Sequence, residues 1–434
     1  STCMACRGSG VQIPSAPLEK MNISYLKKIF LETKELFTSQ FFIALLSLLQ
    51  VSYVVKQLGP EKYGVITLFV TFISLFFKAL HSKNSDVTLL AFKEDNKNIF
   101  YPALTFDLII GLFAMLLCFT IYLTPYVSKI NINSFSNYLL IYLVCRVIFN
   151  FSETSKAILI NTGNLKIRSY MELFGIVIRF FLIVSLISID PTIQNYLLGQ
   201  SIYFLSYGLI AVAIARKVIK KTRYEFQMNI NEYWHTVKKT YKKIRVDQII
   251  GTVPQHFDVL LLSLIGDINI VGIYKFAKRL VEPINYIVSA FNPWIQNQYS
   301  NKKNINFSDF VKKLLLPVSI AIFLAYIYMG KSIILLVGSS EFTSAYQPMI
   351  ILSLGYLFYL LTFWIRQSLL FNELITYHIY GRFIYTAIFI ATSLPLTNLF
   401  NLNGLALSLS LSMIIQKLYE YFIYKNKIIP KSIF

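Results

Sequence analysis

Charged residues are scarce in this sequence, and their scarcity excludes most soluble folds. They make up 14% of the 434 residues, whereas a soluble globular protein has about 25%. Hydrophobic residues make up 56% of the chain. Such a chain lacks the polar surface that water requires. The composition therefore predicts an all-α polytopic membrane protein whose solvent is lipid.

Cysteine is scarce too, which argues against a metal centre. Cys3 and Cys6 form a CxxC pair, but a structural zinc site needs four ligands and no second pair follows. Cys118 and Cys145 lie inside apolar runs, as buried thiols do. We expect neither a metal nor a cofactor.

Several catalytic motifs are absent. The sequence contains no GxxxxGK[ST] phosphate loop, no HExxH zinc helix and no GxSxG nucleophile turn. ATP hydrolysis by this chain is therefore not expected, and the sequence favours a protein that is not an enzyme.

Long apolar runs are plentiful. A bilayer core of about 30 Å is crossed by about 20 helical residues. Runs of that length lie near 37–55, 64–82, 100–122, 137–158, 168–189, 194–214, 247–266, 271–296, 314–336, 346–368, 377–398 and 404–424. The seventh is the least apolar, because Asp247, Pro254 and Asp258 fall inside it. The pattern predicts twelve membrane spans.

The basic residues predict the orientation of these spans. With both termini in the cytoplasm, the cytoplasmic loops and ends from Met21 onward hold 24 Lys and Arg, and the outer loops hold three. Membrane proteins retain Lys and Arg on the cytoplasmic side. The net charge of +20 is thus explained by topology. A nucleic-acid partner is not expected.

The spans divide into two sets of six. The division predicts bundles at 21–214 and 247–434, joined by a basic cytoplasmic linker at 215–246 in which basic and aromatic residues alternate. We expect this linker to lie on anionic lipid headgroups, with a specific partner site as the alternative. Residues 1–20 lack periodicity and an apolar core, so we expect a non-native or disordered tail and a natural start at Met21.

A short turn recurs in the two halves. Leu58–Val65 follows the first span and Ile265–Tyr274 follows the seventh, each with an apolar–Gly entry and a second Gly that opens the next helix. Repeated halves with a binding site between them are common in transporters.

These turns, with two further segments, resemble a known family. The segments are LGPEKYG from Leu58, DVLLLSLIG from Asp258, VGIYKFAKRL from Val271 and LVGSSEFTSAY from Leu336. Across 21–434 the chain is similar to the polysaccharide-export branch of the MATE-like (MOP) flippase superfamily, in particular to Wzx-type O-antigen and capsule repeat-unit translocases.

The resemblance implies a fold, a cargo and partners. It implies two six-helix bundles around a central cavity in the bacterial inner membrane. It implies a polyprenyl-diphosphate-linked glycan as cargo, H⁺ or Na⁺ as a coupling ion, and membrane lipid, a glycan polymerase and a chain-length protein as partners.

Charged side chains inside spans are candidates for contact with such a cargo. Each costs about 2.5–3.5 kcal/mol at mid-membrane, so it normally faces a cavity or a partner. Those near mid-span are Arg146, Arg179, Asp258, Arg279 and Glu282, with Glu153 and Asp107 toward the cytoplasm and Lys275 toward the outside. Charges closer to cytoplasmic span ends are expected to extend toward the headgroups as anchors. These are Lys78, Lys156, Arg168, Arg366 and Lys417.

Helical spacing groups the deeper charges into two stripes. Positions i, i+4 and i+7 share one helix face. The stripes are Arg146, Asn150 and Glu153 on span four, and Lys275, Arg279 and Glu282 on span eight, before an expected kink at Pro283. One stripe in each half predicts a hydrated cavity between the bundles.

We assign roles to this set as hypotheses. Guanidinium groups bind phosphate oxygens in bidentate fashion. Predicted to contact the diphosphate are Arg146, Arg179, Lys275, Arg279 and Asn150. Asp258, Glu153 and Glu282 are candidate coupling-ion or cavity acids, and His256 is a polar cavity residue. The alternatives are that Arg–Glu pairs neutralise each other within each stripe and that Asp258 pairs with Arg279 or Arg179.

Rival functions stay open at this point. A related transporter can carry lipid II or organic cations, and a membrane enzyme of glycan assembly is a more distant alternative. Lipid II flippases carry arginines on their first helices, whereas span one here has no arginine; Gln50 lies within it and Lys56 at its end. Drug antiporters usually depend on acidic cavities, whereas this interior is predicted to be basic.

Overall fold

A computed structural model describes residues 23–81, 84–92, 99–123, 136–221, 230–265, 267–300, 314–372 and 374–428. The tail at 1–20, including Cys3 and Cys6, and the loop at 124–135 lie outside this range. The described residues form helices joined by short turns. The helices are α1 (Ile23–His81), α2 (Asn84–Phe92), α3 (Phe100–Tyr122), α4 (Ser136–Asn161), α5 (Leu165–Ile189), α6 (Ile193–Lys221), α7 (Ile230–Ile265), α8 (Ile268–Val281), α9 (Pro283–Ser300), α10 (Leu316–Val337), a 3₁₀ helix (Ser340–Ala345), α11 (Tyr346–Phe371) and α12 (Ile375–Lys427).

Two of these helices bend sharply and cross the membrane twice. Helix α1 reverses at Gly59, whose φ of 71° is a conformation that glycine adopts without steric cost. Helix α12 reverses at Asn401, with φ 50°, and asparagine is among the non-glycine residues that best tolerate this region. The predicted turn at Leu58–Val65 is therefore the bend of α1.

The described helices account for twelve crossings. Eight helical runs are long and apolar enough to span a membrane, and the runs at Phe37–Thr88 and Ile375–Lys427 each contain one of the two bends. Helix α4 and the broken pair α8–α9 supply the remaining crossings. The prediction of an all-α polytopic membrane protein is confirmed.

The eighth span breaks where proline predicts it. Helix α8 ends at Val281 and α9 begins at Pro283. Proline has no backbone N–H and its ring clashes with the preceding turn, which favours a break at this position. By contrast, α7 runs through Pro254 as one helix of 36 residues.

The expected linker at 215–246 is largely helical in its described part. Helix α6 extends to Lys221 and α7 already begins at Ile230, while 222–229 lie outside the described residues. Tyr233, Val237 and Ile244 form a buried cluster with α2 and α3. Lys238, Lys242 and Lys243 are exposed. Tyr233, Val237 and Ile244 thus lie on a face that packs on protein, whereas these three lysines lie on an exposed face.

The two recurring turns contact each other between the bundles. A Cβ atom on Gly64 would overlap the carbonyl oxygen of Ile268, and one on Gly272 would overlap that of Pro60. Small residues allow membrane helices to approach at backbone distance. This contact joins α1 to α8 at one end of the molecule, which we call the hairpin end.

A second contact joins the bundles at the opposite end, which we call the linker end. Arg366 on α11 donates a hydrogen bond to Asp86 on α2 across 2.9 Å. Beside it, Arg245 lies near the middle of α7 and donates hydrogen bonds to Asn84 and to the carbonyl oxygen of Leu80. The described bundles are therefore held together at both ends.

Candidate functional site

A cavity of about 300 Å³ lies mainly in the second set of spans, because Lys78 is the one residue of its described lining that belongs to the first set. The predicted stripe on span four does not reach this cavity. Its walls come from α1, α7, α8, α9, α11 and α12. Basic side chains dominate the charged part of the lining. They are Lys78, Lys275, Lys278, Arg382 and Lys417, against the single carboxylate of Glu282. The cavity also exposes aromatic and amide groups, including Tyr356, Tyr385 and Gln416.

The predicted stripe on α8 lies at this cavity. Lys275 and Glu282 line it, and His256 on α7 lines it as well. The Arg279 guanidinium lies 2.5 Å from the Glu282 carboxylate, so this pair does neutralise itself within the stripe. Arg279 also borders a smaller pocket against α1, beside Ser47.

The predicted stripe on α4 lies inside the first bundle. Arg146 stacks over the rings of Phe149 and Phe204, with its guanidinium carbon 4.6 and 4.8 Å from the ring centroids. Asn150 is buried. Glu153 does not pair with Arg146: its carboxylate accepts from Lys156 at 3.3 Å and Ser85 at 3.2 Å.

Arg179 has a polar partner on the neighbouring helix. Its Nε donates to the side-chain oxygen of Gln200 on α6 across 3.0 Å. Its guanidinium also lies over the ring of Tyr203. Both contacts hold the side chain inside the bundle without neutralising its charge.

Asp258 forms a buried ion pair, but with a different cation from those expected. Its Oδ2 lies 2.5 Å from Lys278 Nζ and accepts a hydrogen bond from the Tyr274 hydroxyl across 3.0 Å. The expected partners Arg279 and Arg179 are wrong, because Lys278 projects from α8 directly onto the buried carboxylate. Asp258 itself is fully buried.

The five expected headgroup anchors instead point into the protein. Lys78 lines the cavity and Lys417 is buried against Glu420. Lys156, Arg168 and Arg366 pair with Glu153, Glu172 and Asp86. The anchor prediction is therefore wrong, because each side chain has a carboxylate or a polar cavity within reach and need not extend to the headgroups.

Four interior cations have no carboxylate partner. In the part of the chain that the structure describes, no carboxylate lies within salt-bridge distance of Lys78, Arg146, Arg179 or Lys275. The remaining basic residues of the cavity lining form ion pairs. The interior thus carries an excess of positive charge that an anion can neutralise.

Sequence reasoning missed Lys278 and Arg382. Lys278 reaches Asp258 from another helix, so no spacing within one span reveals the pair. Arg382 follows His378 by one helical turn, a spacing that does point to a shared face, and both contact Asp247 on α7.

Comparison with solved structures identifies the fold. The chain matches a lipid II flippase, MurJ, in an inward closed conformation, with a TM-score of 0.68 and 19% identity over 92% of this chain and 89% of that one. It matches the eukaryotic MATE transporter AtDTX14 with a TM-score of 0.69 and 12% identity, over 94% and 97%. It matches a mutant of the Vibrio cholerae MATE transporter VcmN with a TM-score of 0.65 and 15% identity, over 94% and 98%.

By sequence, no family model and no curated protein matches the chain. The structural matches cover nearly all of it at low identity, so they establish its architecture. The molecule therefore shares the all-α, multi-pass fold of these three solved proteins, which are a lipid II flippase and two MATE transporters.

Proposed function

We propose that this protein is a flippase for a polyprenyl-diphosphate-linked oligosaccharide repeat unit. The observation that supports it most is the set of four interior cations without a carboxylate partner, Lys78, Arg146, Arg179 and Lys275. A diphosphate supplies the missing negative charge, and arginine binds its oxygens through two parallel hydrogen bonds. The polyprenyl tail is uncharged and apolar, so it stays in the lipid hydrocarbon outside the protein.

The proposed mechanism is alternating access. The Gly64–Gly272 contact closes the hairpin end, and the Asp86–Arg366 pair holds the linker end. Breaking one contact while the other persists opens the cavity to one side of the membrane at a time. The head group then crosses the membrane within the protein, shielded from hydrocarbon, while the bundles rock about it.

The proposed setting is the bacterial inner membrane with both termini in the cytoplasm. Support comes from the concentration of Lys and Arg in one set of loops and from exposed Lys238, Lys242 and Lys243 on α7. The linker end then faces the cytoplasm and receives the cargo. A glycan polymerase and a chain-length protein are proposed to use the product on the far side.

Organic cations are the contrasting cargo class. The MATE neighbours are multidrug transporters in part, DinF-BH among them. The unpaired positive charge here disfavours a cationic cargo, because like charges repel strongly in a medium of low dielectric constant. Lipid II carries a diphosphate too. It therefore stays an alternative cargo, because the interior cations alone do not distinguish it from other diphosphate-linked glycans.

Transport by the purified protein tests this proposal. Proteoliposomes would receive either a fluorescent polyprenyl-diphosphate disaccharide or an organic cation of similar size. We expect transport of the diphosphate only, and a fall of about tenfold or more in Arg146→Ala and Arg179→Ala, because a hydrogen bond to a charged group contributes about 1.5–3 kcal/mol.

The matched control is Lys238→Ala, which removes an exposed lysine outside the interior. It should transport at the wild-type rate. Full diphosphate transport by both arginine variants, or preferential transport of the organic cation, contradicts the proposal.

A further inference from the structure

A histidine in the second bundle is enclosed by two carboxylates from different helices. His378 on α12 is fully buried. Its Nδ1 lies 2.9 Å from Glu420 Oε1, and its Nε2 lies 3.3 Å from Asp247 Oδ1 on α7. Glu420 and Asp247 are fully buried as well. Both ring nitrogens therefore face an acceptor.

Two cations and an amide complete the surroundings. Lys417 Nζ lies 2.7 Å from Glu420 Oε2, and Gln416 donates to Glu420 Oε1 across 2.6 Å. Arg382 Nε lies 3.5 Å from Asp247 Oδ1. From α11, Tyr359 lies under Lys417, and the charge of Arg366 on that helix is engaged by Asp86. Arg382, Gln416 and Lys417 also line the cavity of about 300 Å³ described above, so the cluster forms part of its wall.

The chemistry of imidazole makes this arrangement sensitive to one proton. A neutral imidazole has a single N–H donor, whereas the imidazolium donates from both nitrogens and can bond both carboxylates. With neutral His378, Arg382 and Lys417 balance Asp247 and Glu420. Adding a proton gives the cluster one surplus positive charge. Histidine is the side chain that gains and loses this charge near neutral pH.

We propose that His378, Asp247 and Glu420 form a proton-binding site that couples proton uptake to anion binding in the cavity. A proton from cavity water binds the imidazole, and the imidazolium then shares the neutralisation of both carboxylates. Lys417 and Arg382 become available to phosphate oxygens. Release of the anion returns the proton to water, and no other bond forms or breaks. The inference rests on the proposed phosphate-bearing cargo.

This site differs from the acid that the sequence suggested for coupling. Asp258 is already engaged by Lys278 and Tyr274, and it contacts no histidine at salt-bridge distance among the described residues. The His378 cluster instead joins a titratable group directly to cavity-lining cations.

Histidine NMR on the whole protein tests the proposal. The chain has four histidines, so ring ¹³C labelling gives few signals. At a fixed pH we expect the His378 signal, assigned by its loss in His378→Gln, to show a larger imidazolium fraction when inorganic pyrophosphate is bound. The reason is that coupling between two ligands is reciprocal, so an anion that favours the protonated cluster also strengthens proton binding.

Exposed His235 provides the matched control. In His235→Gln the response of the His378 signal to pyrophosphate should persist. Should His378→Gln not fold, the variants of His81, His235 and His256 assign the remaining signal by elimination. A His378 signal that shows the same charge state with and without bound pyrophosphate contradicts the proposal.

Calorimetry of pyrophosphate binding on the same samples separates this inference from the proposed function. Absence of binding to the wild-type protein contradicts the anion-binding cavity itself. Binding that leaves the imidazolium fraction of His378 unchanged, or lowers it, contradicts the coupling alone.

Discussion

At the scale of single residues, most interior charges are paired, and the exceptions matter most. Lys278 and Asp258 neutralise each other across 2.5 Å, and Arg279 does the same with Glu282. Arg146 and Arg179 instead contact aromatic rings and an amide, which orient a guanidinium but leave its charge intact. The interior thus contains cations that are paired with carboxylates and cations that are not, and we propose that the second group binds cargo.

The buried Asp258–Lys278 pair gives a prediction about stability. Lys278→Met should strand the Asp258 carboxylate in the protein interior and lower the free energy of unfolding by about 3–5 kcal/mol. The double variant Asp258→Asn with Lys278→Met should recover most of the loss, because no buried charge stays uncompensated. Thermal unfolding in detergent measures both.

Lys56 offers a matched comparison for this pair. It is exposed, and among the described residues its one hydrogen bond goes to the Leu336 carbonyl oxygen, so Lys56→Met should change stability little. A Lys278→Met protein as stable as Lys56→Met would show that the pair does not contribute as described.

Sequence spacing predicted some of these residues and not others. The i, i+4, i+7 pattern places Lys275 and Glu282 together at the cavity, because one helix carries both. It cannot reveal Lys278 with Asp258 or His378 with Asp247, since each contact joins two helices whose packing is set by the whole fold. Lys78 was misassigned because its position near a span end resembles that of an anchor.

At the scale of elements, glycines determine how closely the two bundles approach. Gly64 and Gly272 meet at backbone distance, where a Cβ atom has no room. The sequence showed both as glycines that open a helix after a turn. It did not show that the two turns face each other, because that contact depends on the rotation between bundles.

This contact predicts the effect of enlarging either glycine. Gly64→Val or Gly272→Val should force α1 and α8 apart and prevent closure of the hairpin end, with a loss of about tenfold or more in diphosphate transport and little loss of membrane insertion. Transport in the proteoliposomes described above measures the effect.

Gly163 is the control glycine. It has a φ of 73° and open space around it, and asparagine tolerates that conformation, so Gly163→Asn should transport normally. Wild-type transport by both valine variants would contradict a functional role for the close contact.

The linker illustrates the limit of reading elements from composition. Basic residues at 215–246 predict a division between the two halves of spans. The alternation of basic and aromatic residues predicts a segment that lies on anionic headgroups, but α7 places Tyr233 and Val237 on the face that packs against α2 and α3. Arg245 lies on the buried side as well, whereas Lys238, Lys242 and Lys243 are exposed, and only the contacts of the folded chain reveal this division.

At the scale of the whole molecule, the fold was predictable because the bilayer constrains it strongly. Apolar length gives the spans, and backbone hydrogen bonding in lipid makes them helices. For the cavity, the sequence predicted only that its net charge is positive. Its walls draw on α7, α11 and α12 as well as α8, and the residues Arg382 and Lys417 enter it through packing that no single span encodes.

Binding of a polyprenyl diphosphate and of the matching uncharged polyprenol to the purified protein tests most directly whether the interior cations recognise a phosphorylated lipid head. We expect the wild-type protein to bind the diphosphate at least about tenfold more tightly than the alcohol. In the variant that carries Lys78→Ala, Arg146→Ala, Arg179→Ala and Lys275→Ala together, the two lipids should bind equally. Equal binding of both lipids to the wild-type protein would contradict recognition of the phosphorylated head by these four interior cations.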